Sequence, residues 1–285
     1  MKITDIIGGK RPSLSFEVFP PKTSDSFESV SGAAAEIAQL SPSYMSVTYG
    51  AGGGTSDYTV AIAAKLKAMG VTPLAHLTCI SSTRDRVHSQ LEQLRANGIE
   101  NILALRGDIP QDGNCPGVYR YASELTREIC DFGGFCVGGA CYPEKHPDSA
   151  DSAADIEGIR KKADAGCSFL TTQMFFDNNI LYNYMYRLLR AGIDLPVVAG
   201  IMPITNARQI QRICSISQNT LPQHFLRIVD RYGDDPAAMK QAGVAYATEQ
   251  IIDLFANGVN AVHVYSMNKP DVARQIRDNL SEIIK

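Results

Sequence analysis

Glu17 stands in the run LSFEVFPP, between Phe16 and Val18 and two residues before Phe19 is passed. A carboxylate among such neighbours loses solvation when ionised, so its pKa rises toward the range where a general acid works near neutral pH. With the period of two of an extended strand, Leu14, Phe16 and Val18 share one face, while Ser15, Glu17 and Phe19 share the other. The apolar set suits packing against helices, which turns Glu17 inward; a buried Glu paired with an Arg such as Arg106 is the structural alternative. In LALRGDIP, Gly107 permits close backbone approach to a ligand, and Asp108 follows it. Arg106 and Asp108 are either site groups or a simple ion pair. Gln173, in FLTTQMFF, is an uncharged donor and acceptor in an apolar stretch. It suits recognition of a heterocycle edge, or it is a satisfied core amide.

His76, Tyr142 and His146 add imidazole and aromatic groups to the same set. Lys161 and Lys162 either meet a pyrophosphate or lie on a solvated helix face. The glycine-rich AGGGTSDYT does not fit GxGxxG, and GxxxxGK[ST] is absent, so a nucleotide cofactor is not held by a Rossmann module. No strand offers a Lys at its interior end for a Schiff base, and there is no GxSxG elbow. The spacing of His76, Cys79, Cys141 and His146 fits no zinc pattern, so no metal site is expected. Acids, amides and aromatics without clear metal ligands suit an organic cofactor.

These residues need a frame. Eight short apolar runs recur, at Ser13–Pro20, Tyr44–Gly50, Thr72–Cys79, Asn101–Gly107, Cys136–Pro143, Phe169–Phe176, Pro196–Pro203 and Ala261–Asn268. Helical spacing separates them at Ser26–Leu40, Ser56–Met69, Thr83–Asn97, Asp155–Ala165, Asn178–Ala191 and Asp271–Ile284, with Ser, Thr, Asp or Asn starts and Gly stops. Strands alternating with helices predict a closed parallel (β/α)₈ TIM-type barrel of the α/β class. Residues 1–285 then form one domain, with a helical insertion at about 206–257 between strands seven and eight: Ala207–Ser217, a short helix from near Pro222, and Pro236–Ala256. Active sites in this fold lie at the strand C-termini, where Glu17, Thr48, His76, Arg106, Asp108, Tyr142, Gln173 and Tyr265 fall.

The 285 residues carry a net charge of −3, with basic groups dispersed, which gives no field favouring nucleic acid. No apolar run approaches the ~18 residues of a membrane span, and MKITDIIGGKRPS has no signal-peptide core, so the cytoplasm is expected. Seven cysteines without a CxxC pair read as reduced thiols. Cys136 and Cys141, on one strand, point to opposite faces.

FEVFPPK (Phe16–Lys22), SVTYGAGG (Ser46–Gly53), HLTC (His76–Cys79), ALRGDIP (Ala104–Pro110), YPEKHP (Tyr142–Pro147), KADAG (Lys162–Gly166), TQMFFD (Thr172–Asp177) and GIMPI (Gly200–Ile204) occur in this order. Together they resemble the 5,10-methylenetetrahydrofolate reductase family. The resemblance implies a barrel that binds FAD non-covalently. It implies ping-pong reduction of methylenetetrahydrofolate to 5-methyltetrahydrofolate by NADH or NADPH, supplying methyl groups for methionine synthesis. By motif, Glu17 looks like the acid that assists opening of the methylene bridge, and Asp108 like the charge between flavin and folate. Gln173 and Gln209 match substrate-contacting amides, and Lys269 stands where relatives direct an Arg at folate. Thr48, Tyr49, Ala51, His76, Arg106, Gly107, Asp108, Tyr121, Ala122, Tyr142, His146, Asp155, Lys161 and Lys162 fall on flavin-side positions. Ser149, Gly158 and Ile213 depart from residues that relatives use. The resemblance is to the short bacterial form without a regulatory domain, acting as a homo-oligomer with no nucleic-acid or membrane partner. Two other readings share the flavin: a barrel of the proline-dehydrogenase type, and a flavin-binding subunit of a larger electron-transfer complex.

Overall fold

A computed structural model describes the chain except residues 22, 50–55, 110–114, 116, 211–212 and 214–218; of Ser56 it describes the backbone alone. Eight strands, β1 (Ser13–Val18), β2 (Met45–Val47), β3 (Pro73–Thr78), β4 (Asn101–Leu105), β5 (Cys136–Cys141), β6 (Phe169–Thr172), β7 (Val197–Ile201) and β8 (Ala261–Tyr265), follow one another around a closed barrel. All pairings are parallel, and β8 closes on β1 with Glu17 opposite Tyr265. Each expected apolar run contains one strand. Among the described residues, the runs overshoot because their last residues belong to the loops that leave the barrel.

Helices α1 (Ile3–Ile7), α2 (Phe27–Ala38), α3 (Ser56–Ala68), α4 (Arg84–Ala96), α5 (Ala122–Phe132), α6 (Ser152–Asp164) and α7 (Asn178–Arg190) precede or separate the first seven strands. Between β7 and β8 run α8 (Gln223–Tyr232) and α9 (Pro236–Ala256), and α10 (Pro270–Asn279) follows β8. Most of the helix expected at Ala207–Ser217 lies outside the described residues. Two helices differ from the sequence reading by their presence. In α5, Glu124 accepts from the N–H groups of Arg120 and Tyr121, and Leu125, Thr126 and Ile129 are buried at helical spacing. The single turn of α1 is held from outside, its Ile3 N–H donating to Asn101 Oδ1 at 2.9 Å. Helix α6 starts before the expected Asp155 because Asp151 accepts from the Ala154 N–H at 2.8 Å and caps it.

Strand alternation divides the interior. Outward residues such as Leu14, Phe16, Val18, Ala75 and Leu77 pack with the helices in the main core. Inward residues at the N-terminal ends form an apolar plug of Tyr44, Leu74, Leu103, Cys136, Phe169, Val198 and Ala261, closed by Ile3 of α1. Cys141 belongs to the outer cluster, so the two β5 thiols do face opposite ways. Toward the C-terminal ends the lining turns polar. Gly200 makes space there, since a Cβ would overlap the Tyr265 hydroxyl and the Thr172 carbonyl oxygen. Gly243 does the same for α9, whose backbone lies against the Ile204 carbonyl.

Candidate active site

β1 carries Glu17 into this polar end, where it is 6% exposed. Ser46 Oγ of β2 lies 3.4 Å from its Oε2, and His76 Nε2 of β3 lies 3.6 Å from the same oxygen. Burial pushes the carboxyl up to about 8; a hydrogen donated by the Ser46 hydroxyl would oppose the rise. Burial drives His76 the other way, down to about 3. Near neutral pH the two are an acid and a neutral imidazole, and His76 Nε2 has no hydrogen-bond partner among the described residues. Tyr265 donates to the Thr172 carbonyl oxygen, and burial, followed by the nearby Glu17, raises its hydroxyl well above the usual range.

Arg106 takes neither partner that sequence reasoning offered it. Its guanidinium pairs with Asp148 at 2.8 Å, in the loop before α6, rather than with Glu17 or Asp108. The cause is local: Gly107, at φ +84, turns the chain between Arg106 and Asp108. A Cβ on Gly107 would come within 3.0 Å of the Thr78 side chain, so the turn packs tightly against the end of β3. Asp108 is exposed on the rim, close enough to Tyr142 to add to the effect of burial, which raises that phenol to about 12.

Tyr142 meets the His146 ring edge-on, with centroids 4.5 Å apart. The His146 N–H and the Ser149 hydroxyl both donate to the buried Asp155 carboxylate, at 3.0 and 3.1 Å. Asp155 thus fastens the loop that brings His146 and Asp148 to Arg106. His146 Nδ1 accepts from the Asp148 N–H at 3.0 Å, and burial followed by the Arg106 charge lowers its pKa. Lys162 reaches the Ala140 carbonyl oxygen at 2.6 Å, and burial lowers its ammonium pKa. Lys161, exposed, instead lines a surface cleft with Arg84, Ser123 and Arg127, so the two lysines face different sides. Tyr121 is 62% exposed, and Ala122 is buried at the start of α5. The Thr48 carbonyl oxygen accepts from Thr59 at 2.9 Å, and the buried Tyr49 hydroxyl has no hydrogen-bond partner among the described residues. Ala51 lies outside the described residues.

The amides occupy the far side of the mouth. Gln173 Oε1 accepts from the Met174 N–H at 2.9 Å. Gln209 and Lys269 meet at Thr205: the Thr205 N–H donates to Gln209 Oε1 at 3.2 Å, and Lys269 Nζ donates to Thr205 Oγ1 at 2.8 Å. Ile213 is buried in an apolar cluster with Met174, Phe225 and Met239. Sequence reasoning passed over Ser15, Ser46, Asp148, Thr205 and His263. The inward parity shared with Glu17 could have flagged Ser15; no comparable signal marks Asp148 or Thr205.

A closed parallel barrel with a buried acid, neutral imidazoles and amides at its C-terminal mouth defines a TIM-barrel enzyme. The family model described as methylenetetrahydrofolate reductase matches residues 2–281, and the chain belongs to that family, a family of oxidoreductases. It is 34% identical over 267 residues to 5,10-methylenetetrahydrofolate reductase of Pectobacterium carotovorum, covering 93% of this chain and 89% of that one. The Escherichia coli enzyme of the same name is 32% identical over 265 residues with the same coverage. Methylenetetrahydrofolate reductase (NADH) 1 of Arabidopsis thaliana is 33% identical over 99% of this chain and 50% of its own. Among solved structures, an uncharacterised Clostridium thermocellum protein described as binding two copies of 5-methyl-5,6,7,8-tetrahydrofolic acid shares the fold. Its TM-score is 0.65 at 13% identity, covering 98% of both chains.

Proposed function

We propose that this family member reduces 5,10-methylenetetrahydrofolate to 5-methyltetrahydrofolate with electrons from NADH or NADPH, using non-covalent FAD. The observation that carries the reading is Glu17, a carboxyl held protonated by burial at the C-terminal end of β1. The mouth fits a flavin. Among the described residues His76 Nε2 and the Tyr49 hydroxyl are buried polar atoms without hydrogen-bond partners, which a polar ring system would supply, and Arg106, His146 and Lys162 gather cationic or donor groups on one side. Tyr142, Gly107 and the start of α5 at Tyr121–Ala122 complete that side, with Asp155 holding its loop in place.

FAD, held by these residues, would supply hydride transfer from the nicotinamide to the folate in two separate half-reactions. The chain supplies position and protons. Glu17 protonates the nitrogen that leaves as the methylene bridge opens, its acid form being populated up to about pH 8. Asp108, exposed on the rim, faces the cation that develops on the folate and stabilises it. Gln173 reads the edge of the pterin, while Gln209 and Lys269, joined through Thr205, meet the remainder of the folate. The product is a methyl donor of the kind methionine synthesis consumes. Anaerobic stopped-flow tests the reading: the yellow protein should bleach with NADH or NADPH and regain colour on adding methylenetetrahydrofolate. A flavin that the folate does not reoxidise would overturn it.

A further inference from the structure

Beside and beneath Glu17 lies a run of polar side chains to which the proposed chemistry gives no role. Ser15, Ser46 and His263 point inward from β1, β2 and β8, and none is more than 1% exposed. His263 Nδ1 lies 2.7 Å from Ser15 Oγ, and its Nε2 lies 2.9 Å from Ser46 Oγ, which in turn approaches Glu17 Oε2. Ser15 Oγ is also 3.0 Å from the Val262 carbonyl oxygen. The imidazole ring stacks on Tyr44 with an 8° tilt and a 5.5 Å centroid separation.

Each hydroxyl has one hydrogen to give, and a neutral imidazole has one N–H. The Val262 carbonyl can only accept, and the Ser15 hydroxyl donates its hydrogen there. The Ser15 oxygen then accepts from His263, which puts the ring proton on Nδ1. Nε2 is left as a bare acceptor and takes the Ser46 hydrogen, at 2.9 Å against the longer 3.4 Å to Glu17. Ser46 therefore presents only lone pairs to Glu17. A carboxylate there meets repulsion, whereas a carboxylic acid makes a hydrogen bond. Burial, with His76 nearby, holds the His263 pKa down at about 3, so the ring keeps its single proton across the neutral range. Among the described residues the groups facing or electrostatically coupled to Glu17 are Ser46, His76, Tyr265 and Tyr44, whose phenol burial pushes well above its usual range, and none of them is a cation near neutral pH.

We propose that His263 is a positioning residue for Glu17: locked by Ser15 as the Nδ1–H tautomer, it draws the Ser46 hydrogen away from Glu17 and so holds that carboxyl in its acid form. This rests on the reading of Glu17 as the acid.

Two measurements test it. In the unsubstituted holoenzyme, ¹⁵N-histidine spectra should show His263 protonated on Nδ1 alone. The signal is assigned by its loss in His263→Phe or, should that variant not fold, by replacing the other four histidines in turn. Protonation on Nε2 would overturn the proposal, whatever the enzyme's substrate proves to be. The second measurement is the pH profile of flavin reoxidation by methylenetetrahydrofolate. His263→Phe, which keeps the stack on Tyr44, frees the Ser46 hydrogen to turn toward Glu17; Ser46→Ala removes the acceptor. Both should move the alkaline limb to lower pH by about one pH unit, the effect of one hydrogen bond. An upward move in Ser46→Ala, or an unmoved limb in His263→Phe, would show Ser46 donating to the carboxylate and sink the idea. Absence of folate turnover in the unsubstituted enzyme would instead refute the functional reading and leave the tautomer result standing.

Discussion

Glu17 and His76 approach within 3.6 Å without forming an ion pair at neutral pH, because burial moves their pKa values apart, to about 8 and about 3. The same shifts dictate how stability follows pH. Glu17 binds its proton more tightly folded than unfolded, so its contribution is complete below its ordinary 4.5 and is lost as pH rises toward 8. His76 and His263, lowered from 6.5, contribute above that value and lose it as pH falls toward 3. Two histidines outweigh one glutamate below pH 6.5, so these three groups place the stability maximum near that pH. Urea midpoints measured from pH 5 to 8.5 should peak there, and Glu17→Gln should flatten the alkaline decline. An identical alkaline decline in the variant would refute the Glu17 assignment.

Glu17→Gln should also separate the two half-reactions. The amide keeps size and hydrogen-bonding capacity but has no acid proton, so flavin reduction by nicotinamide survives nearly intact. Reoxidation by methylenetetrahydrofolate should fall about 10²–10⁴-fold, the range of general acids, with FAD content unchanged. Single-turnover absorbance traces decide; an unchanged folate step makes Glu17 purely structural.

Asp108→Asn should weaken folate binding and slow the folate half-reaction more than the nicotinamide one. The side chain is exposed and does not hold Arg106, whose partner is Asp148, so the fold and flavin content should persist. Equal slowing of both halves would point to disturbed flavin geometry instead of lost charge stabilisation.

Gly200→Ala should destabilise the protein by about 1–3 kcal/mol, the usual cost of an added methyl in a filled interior. The methyl would collide with the Thr172 carbonyl and the Tyr265 hydroxyl, breaking their hydrogen bond. Thermal unfolding reads the loss, and adding Tyr265→Phe should recover part of it. No recovery in the double variant would place the strain on the Thr172 backbone rather than on the tyrosine.

The barrel was legible because eight apolar runs separated by capped helical spacing leave few other arrangements for burying every strand. Glu17 was legible for a related reason: strand parity fixes its direction, and apolar neighbours fix its solvation. What escaped was set by distance along the chain. Arg106 finds Asp148 forty-two positions away, across a loop whose shape depends on Asp155. Ser46 meets His263 across 217 positions, and only barrel closure brings them together. Helix α1 carries too little periodicity to announce itself, since its anchor is the Asn101 side chain.

The apolar plug, with Ile3 set across it, gives the barrel a floor. A vessel with a floor has one door. Among the described residues the end left open is the rim held by Arg106, Tyr142 and Gln173, so two visitors of similar bulk that reach Glu17 past it cannot pass each other inside. Each then obstructs the other, and an excess of either should slow the turnover that needs both.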